Sequence, residues 1–205
     1  MTALSGSRGT LAQSLWPSAD DTMPVRRWLR LGLLALAGSI LLTISAKIQV
    51  PFYPVPMTMQ TFVVLLLGMA YGWRLGAATV LFYLAQGAMG LPVFVGTPEK
   101  GIGLAYMAGS TGGYLLGFVA AAALVGWLAE RGWDRNIVTT ALAMLLGNIV
   151  IYLPGLLWLG TLFGWDKPIL AWGLTPFVLG DLTKLALAAV LMPLAWRAFR
   201  NWKGN

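Results

Sequence analysis

IVTTALAMLLGNIVIYLPGLLWLGTLF, residues 137–163, runs for 27 residues without one Asp, Glu, Lys or Arg. At about 1.5 Å of rise per residue, a helix of that length exceeds the roughly 30 Å of hydrocarbon in a bilayer. The stretch therefore reads as a membrane-spanning helix, and the same texture repeats on both sides of it. Apolar segments run from Trp28 to Ile48, Thr58 to Trp73, Leu75 to Leu91, Gly112 to Ala129 and about Trp172 to Phe199. The second and third are separated only by Arg74, which demands a tight hairpin there. Both are short and Gly-rich enough for one to tilt, break or stop short. The expectation is an all-α integral membrane protein of six transmembrane helices with long outward-facing loops. Residues 25–205 are expected to form a single six-helix transmembrane domain. Residues 1–24 read as a mobile cytoplasmic tail, because they lack the apolar centre of a secretory signal.

Composition excludes several functions. Only 10% of the chain is charged against 58% hydrophobic, well outside the usual soluble profile, which argues against a cytosolic globular domain. With no Cys and no His, there are no disulfides, no Cys or His metal ligands, no Cys nucleophile and no imidazole-dependent triad. No P-loop string is present either, so the chain does not itself bind ATP that way. The net charge of +7 concerns membrane sidedness rather than nucleic acid. With the N-terminus inside, Arg8, Arg26, Arg27, Arg30, Arg74, Arg131, Arg135, Arg197, Arg200 and Lys203 fall on the inner side. Lys47, Lys100 and Lys167 fall outside, and Lys184 lies within a span. This asymmetry places both termini in the cytoplasm. Trp158, Trp165 and Trp172 then fit an outer aromatic belt, and the long Gly- and Pro-rich outer loops point to a site that opens outward.

Asp181 and Lys184 carry the chemistry. Either charge costs about 2.5 to 3.5 kcal/mol at the centre of a span, so both should face the protein interior or a wet cavity. Three residues apart, they share one helix face. They form either a pocket for a small ligand bearing an anionic group and hydrogen-bond donors, or an ion pair that only neutralises itself. Gln60, Gln86, Asn148 and Tyr152 could complete such a pocket or serve as interhelical glue. Asn148 and Tyr152 sit one turn apart, and Pro154 after them should break or kink the helix. In the first span Ala35, Ser39 and Thr43 form a small-residue stripe, suited to internal packing or to docking a separate membrane subunit.

Four strings then carry a resemblance: Val55-Pro56-Met57-Thr58-Met59-Gln60-Thr61-Phe62, Gly90-Leu91-Pro92-Val93-Phe94, Thr111-Gly112-Gly113-Tyr114-Leu115-Leu116-Gly117-Phe118 and Gly180-Asp181-Leu182-Thr183-Lys184. In order and spacing they resemble the BioY family, the biotin-specific S components of energy-coupling-factor transporters, over about Leu31 to Arg197. The resemblance implies a six-helix subunit in a prokaryotic cell membrane. It would capture biotin from outside and work with a coupling transmembrane subunit and two ABC-type ATPases. Biotin would be the transported substrate, and no cofactor or metal is expected. The resemblance also implies that the Asp-x-x-Lys pair, Asp181 and Lys184, contributes to biotin binding. Lys184 suits the carboxylate and Asp181 the ureido N–H groups. Asn148, Tyr152 and Gln60 are added on polarity and depth, and Trp158 and Phe94 are candidates for the ring lining. Ser110 stands where the family often has proline, which should alter loop stiffness. Lys100 reads as a solvated surface charge in an outer loop that does not align.

Two other classes compete with this reading. One is a self-sufficient ion-coupled secondary transporter of a small anionic vitamin, with Asp181 as its proton-binding carboxylate, although no inverted repeat is visible. The other is an intramembrane enzyme, which would need a Ser–Lys dyad built on Lys184, and no motif for one is present. The chain is therefore expected not to be an enzyme.

Overall fold

The computed structural model describes residues 9–16, 24–99 and 101–204. Helices dominate: α1 (Leu11–Leu15), α2 (Pro24–Lys47), α3 (Gln60–Ala88), α4 (Gly103–Met107), α5 (Gly112–Ala129), α6 (Ile137–Phe163), α7 (Ile169–Gly173) and α8 (Val178–Gly204). Five of the described helical segments are long and apolar enough to cross a membrane. The second of them, α3, is folded back on itself. Gly72 has φ of 81° and ψ of 174°, a left-handed conformation that only glycine adopts without strain. Gln60 Nε2 donates to Tyr83 Oη at 2.7 Å. In a straight helix 23 residues would separate those two positions by roughly 35 Å. The stretches expected as the second and third spans form two helical arms of α3, which turn at Gly72 and not at Arg74. Arg74 marks the polar end of the hairpin, whereas the permissive backbone lies two residues earlier. Neighbouring backbone fills the corner, since a Cβ on Gly126 of α5 would lie 2.5 Å from Gly72 C and Trp73 N.

Sequential helices pack as neighbours. α3 lies against α2 and α5, α5 against α6, and α6 against α8, with α8 returning to touch α3. α5 and α6 match the spans read from sequence to the residue. Asn136 caps α6 through its side chain, which accepts from Val138 N at 2.8 Å. α6 runs through Pro154 as one helix, so the expected break does not occur. Packing against α5 supports the proline turn, as neighbouring helices do in membranes. The last span begins later than expected. Residues 169–173 form the short α7, and Thr175–Phe177 make a 3-10 turn around Pro176 before α8 starts.

One end of the bundle carries the long loops, and the other has the short turns. At the loop end, β1 (Gln49–Val50) pairs antiparallel with β2 (Met57–Thr58), Gln49 opposite Thr58 and Val50 opposite Met57. The Pro-rich stretch 51–56 therefore forms a small roof. Ser110 Oγ donates to Pro54 O at 2.8 Å, tying the roof to the loop before α5, a bond that proline at 110 could not make. At the turn end, α1 is seated on α3, with Thr10 and Leu11 buried. Thr10 closes a capping box with Gln13. Residues 9–16 of the expected tail are thus packed, while 1–8 and 17–23 lie outside the described residues.

Candidate functional site

The last span brings Asp181 and Lys184 to the loop end of the bundle on one face of α8. Their side chains are 9% and 10% exposed, and Lys184 Nζ lies 3.0 Å from Asp181 Oδ1. The arms of α3 and α6 converge on this pair. Lys184 Nζ also donates to Thr58 O at 2.8 Å and to Thr61 Oγ1 at 3.0 Å. Thr61 Oγ1 donates in turn to Asp181 Oδ1 at 3.3 Å, and Tyr152 Oη donates to Asp181 Oδ2. All three ammonium protons have acceptors, and both carboxylate oxygens have donors. This is the satisfied condition in which a buried ion pair is tolerated.

The network forms one wall of a cavity under the roof. Its other walls include Val55, Pro56, Met57, Phe94, Tyr106, Tyr114, Phe118, Ile151 and Phe177, and its polar part includes Thr58, Gln60, Thr61, Thr111, Tyr152, Asp181 and Lys184. Gln60 is held by Tyr83, whose hydroxyl donates to Val93 O at 3.0 Å and so links α3 to the loop that follows it. Phe94 stacks on Tyr106 with ring centroids 4.9 Å apart and meets Tyr83 edge-on at 5.5 Å. Burial raises the Tyr106 phenol above its ordinary range, so it stays protonated and can donate. Tyr114 Oη donates to Gly173 O at 2.8 Å, which pins α7 over the far side. The cavity measures about 50 Å³. Sites for small organic ligands usually hold several hundred Å³, so admitting one requires the loop-borne walls to move.

Four of the five residues expected to bind substrate thus share one cavity: Asp181, Lys184, Tyr152 and Gln60. Asn148 is buried nearby but lines a separate small space with Thr61, Met144 and Lys184, and its Oδ1 has no hydrogen-bond partner among the described residues. Phe94 lines the cavity under the roof, whereas Trp158 lies outside its lining and donates from Nε1 to Gly109 O at 2.8 Å. In the stripe on α2, Ser39 is buried and its hydroxyl donates to Gln86 Oε1 on α3, while Ala35 and Thr43 are half-buried. At Ser39 the stripe therefore packs α2 onto α3. The outward face of α2 carries Leu33, Leu36, Ile40, Leu41 and Ile44 instead. Lys100 lies outside the described residues. Sequence reading missed Thr58, Thr61, Tyr106, Tyr114 and Phe177. Thr58, Thr61 and Tyr114 sit inside the recognised strings, and that was the available signal.

Comparison with known proteins bears on this geometry. The sequence pattern described as "BioY family" matches residues 18–201. The "Probable biotin transporter BioY" of Pyrococcus horikoshii is 37% identical over 151 residues, covering 74% of this chain and 86% of that one. The "Biotin transporter BioY" of Thermotoga maritima is 36% identical over 151 residues with the same coverage. Among solved structures, an S-component for biotin from an ECF-type ABC transporter superposes with a TM-score of 0.71. It is 24% identical, and the match covers 86% of this chain and 95% of that one.

Proposed function

The chain belongs to the BioY family, and from that premise we propose that it captures biotin at the outer face of a prokaryotic cell membrane. It does so as the substrate-binding subunit of an ECF-type ABC transporter and performs no covalent chemistry. A coupling membrane subunit and two ABC-type ATPases supply the energy. The observation that carries this reading is the cavity at the loop end, apolar and aromatic on most sides, with the Asp181–Lys184–Thr61–Tyr152 network on one wall.

Biotin offers a carboxylate, two ureido N–H donors and one ureido carbonyl on an apolar bicycle. Lys184 meets the carboxylate by exchanging one of its present acceptors for the ligand. Asp181, held by Tyr152, accepts from the ureido ring. The aromatic walls enclose the fused rings. Because the present cavity is small, binding is coupled to displacement of the roof over residues 51–56 and of Phe94.

Titration calorimetry of the purified chain tests this directly. Biotin is expected to bind one to one without ATP or partner, with desthiobiotin weaker and unrelated vitamins silent. Saturable binding of a different vitamin, with none of biotin, would reject the substrate. Orientation has its own test in intact cells. Cysteine at Lys167, which is exposed beside Asp166, should react with an impermeant thiol reagent, whereas cysteine at Arg131 should not. The native chain has no cysteine to obscure either result.

A further inference from the structure

Asn148 shares its face of α6 with Tyr152, one turn away, and α8 places Lys184 one turn from Asp181. The two helices therefore meet at two levels. Tyr152 donates to Asp181 at the level of the cavity under the roof. One turn further from the loop end, Asn148 and Lys184 border the separate small space together with Thr61, Phe62, Leu65 and Met144. Every residue in that lining belongs to α3, α6 or α8. Gly147 sets the close approach of α6 to α3, since a Cβ there would lie 2.4 Å from Leu65 Cδ2. Lys184 and Thr61 line both spaces, so they form the partition between them.

Asn148 is only 8% exposed, and its Oδ1 lacks a donor among the described residues. Neither polar neighbour has a proton to give it. Lys184 directs its three to Thr58 O, Thr61 Oγ1 and Asp181 Oδ1, and Thr61 directs its one to Asp181 Oδ1. The space measures about 10 Å³, close to the roughly 10 to 15 Å³ that one water molecule requires. A cation is disfavoured there, because the ammonium of Lys184 stands in the wall and no carboxylate does. We infer that one water molecule occupies this space. It donates one proton to Asn148 Oδ1 and the other to Thr61 Oγ1, which accepts only from Lys184 among the described residues.

The consequence falls on Lys184 and rests on the biotin reading above. Its ammonium has no proton for a ligand carboxylate until one present acceptor lets go. Releasing Asp181 would part a buried charge pair. Thr58 is not in the lining of the space, so its carbonyl is out of the water's reach. Thr61 Oγ1 is released most readily, because the water still donates to it. Thr61 is thus the acceptor that Lys184 exchanges for the ligand, and Asn148 is a positioning residue that anchors the water behind it.

A crystal structure of the full chain, at a resolution that shows ordered water, tests the site without any variant. Density for one water within about 2.7 to 3.2 Å of both Asn148 Oδ1 and Thr61 Oγ1 is expected. No water there, or a direct bond from the Asn148 amide to Thr61, overturns the proposal. Titration calorimetry tests the link to Lys184. Asn148→Leu should weaken biotin binding about fivefold in the parent chain, the size of one ordinary hydrogen bond, and should add nothing further in a Lys184→Met background. Asn148→Ser, whose hydroxyl can still accept from the water, should recover most of the affinity. An equal fivefold loss in both backgrounds, or a drop in thermal stability alone, makes Asn148 a packing residue and overturns its positioning role. A parent chain that binds no biotin would reject the substrate reading, while the density at Asn148 would still decide the water site.

Discussion

Asp181 and Asp134 are both buried carboxylates, at opposite ends of the bundle, and their surroundings differ. Asp134 lies in the short turn between α5 and α6 with 0% exposure. Trp196 Nε1 donates to its Oδ2 at 2.5 Å, the Arg135 guanidinium rests 4.6 Å from the Trp196 ring centroid, and its Oδ1 has no hydrogen-bond partner among the described residues. Burial raises its carboxyl above the ordinary range, against smaller lowering contributions from the Trp196 N–H and from Arg135. Asp181 faces a cavity and collects an ammonium, a threonine hydroxyl and a tyrosine hydroxyl. Burial alone does not distinguish the two. What sets Asp181 apart is that its partners come from several helices and that it borders a cavity.

The largest expected effects test the working end. Lys184→Gln and Asp181→Asn should each weaken biotin binding by at least about thirtyfold, since removing one member of such a pair costs about 2 to 5 kcal/mol. The two should part when the ligand is biotin amide. Lys184→Gln should lose most of its penalty, because no carboxylate remains to pair, whereas Asp181→Asn should keep it. If both variants bind like the wild type, or fail only by misfolding, Asp181 joins Asp134 as a structural residue. A smaller effect is expected from Tyr152→Phe, which removes one donor to the carboxylate. An affinity loss of about tenfold, with thermal stability near that of the parent, should be read by the same titration.

Asp134→Asn sharpens the contrast from the other side and should leave biotin affinity unchanged. A carboxyl raised in the folded state binds protons more tightly there than in the unfolded chain. Its contribution to stability is therefore present below the ordinary carboxylate range and is lost as pH rises through the folded value. Asparagine does not titrate. The Tm of the variant relative to the parent should climb by roughly 2 to 4 °C between pH 4 and pH 8, the shift that about 1 kcal/mol gives in a domain of this size. No change in that difference would mean that Asp134 titrates normally in the fold.

How far the sequence could be read followed the same division. α5 and α6 were legible to the residue because charged or capping residues bound long uncharged runs. The start of α8 was not, since the apolar α7 and the turn around Pro176 blend into the span by composition. The hairpin was legible as an event but misplaced, because Arg74 is conspicuous and Gly72 is one glycine among 25. Asp181, Lys184, Tyr152 and Gln60 stood out as polar groups in apolar surroundings. Tyr106 and Phe177 could not, since an aromatic lining a cavity reads like one in a core or a membrane belt, and Tyr114 was marked only by the string that contains it. Trp158 shows the converse, an aromatic that looked suited to the ring lining and instead bonds to Gly109.

The fold at Gly72 has a consequence for the lipid around the protein. The second arm of α3, residues 73–88, turns Leu81 and Phe82 outward. Its sixteen residues rise only about 24 Å, against the roughly 30 Å of a typical hydrocarbon layer. α6, with 27 residues, rises about 40 Å on another side of the bundle. Thinning of the bilayer beside the short arm, and helix tilt or thickening beside α6, would each meet that mismatch at a fraction of a kcal/mol per Å. Membrane thickness becomes a variable of this protein's energetics, and vesicles of shorter-chain lipids should relieve the flank beside the short arm first.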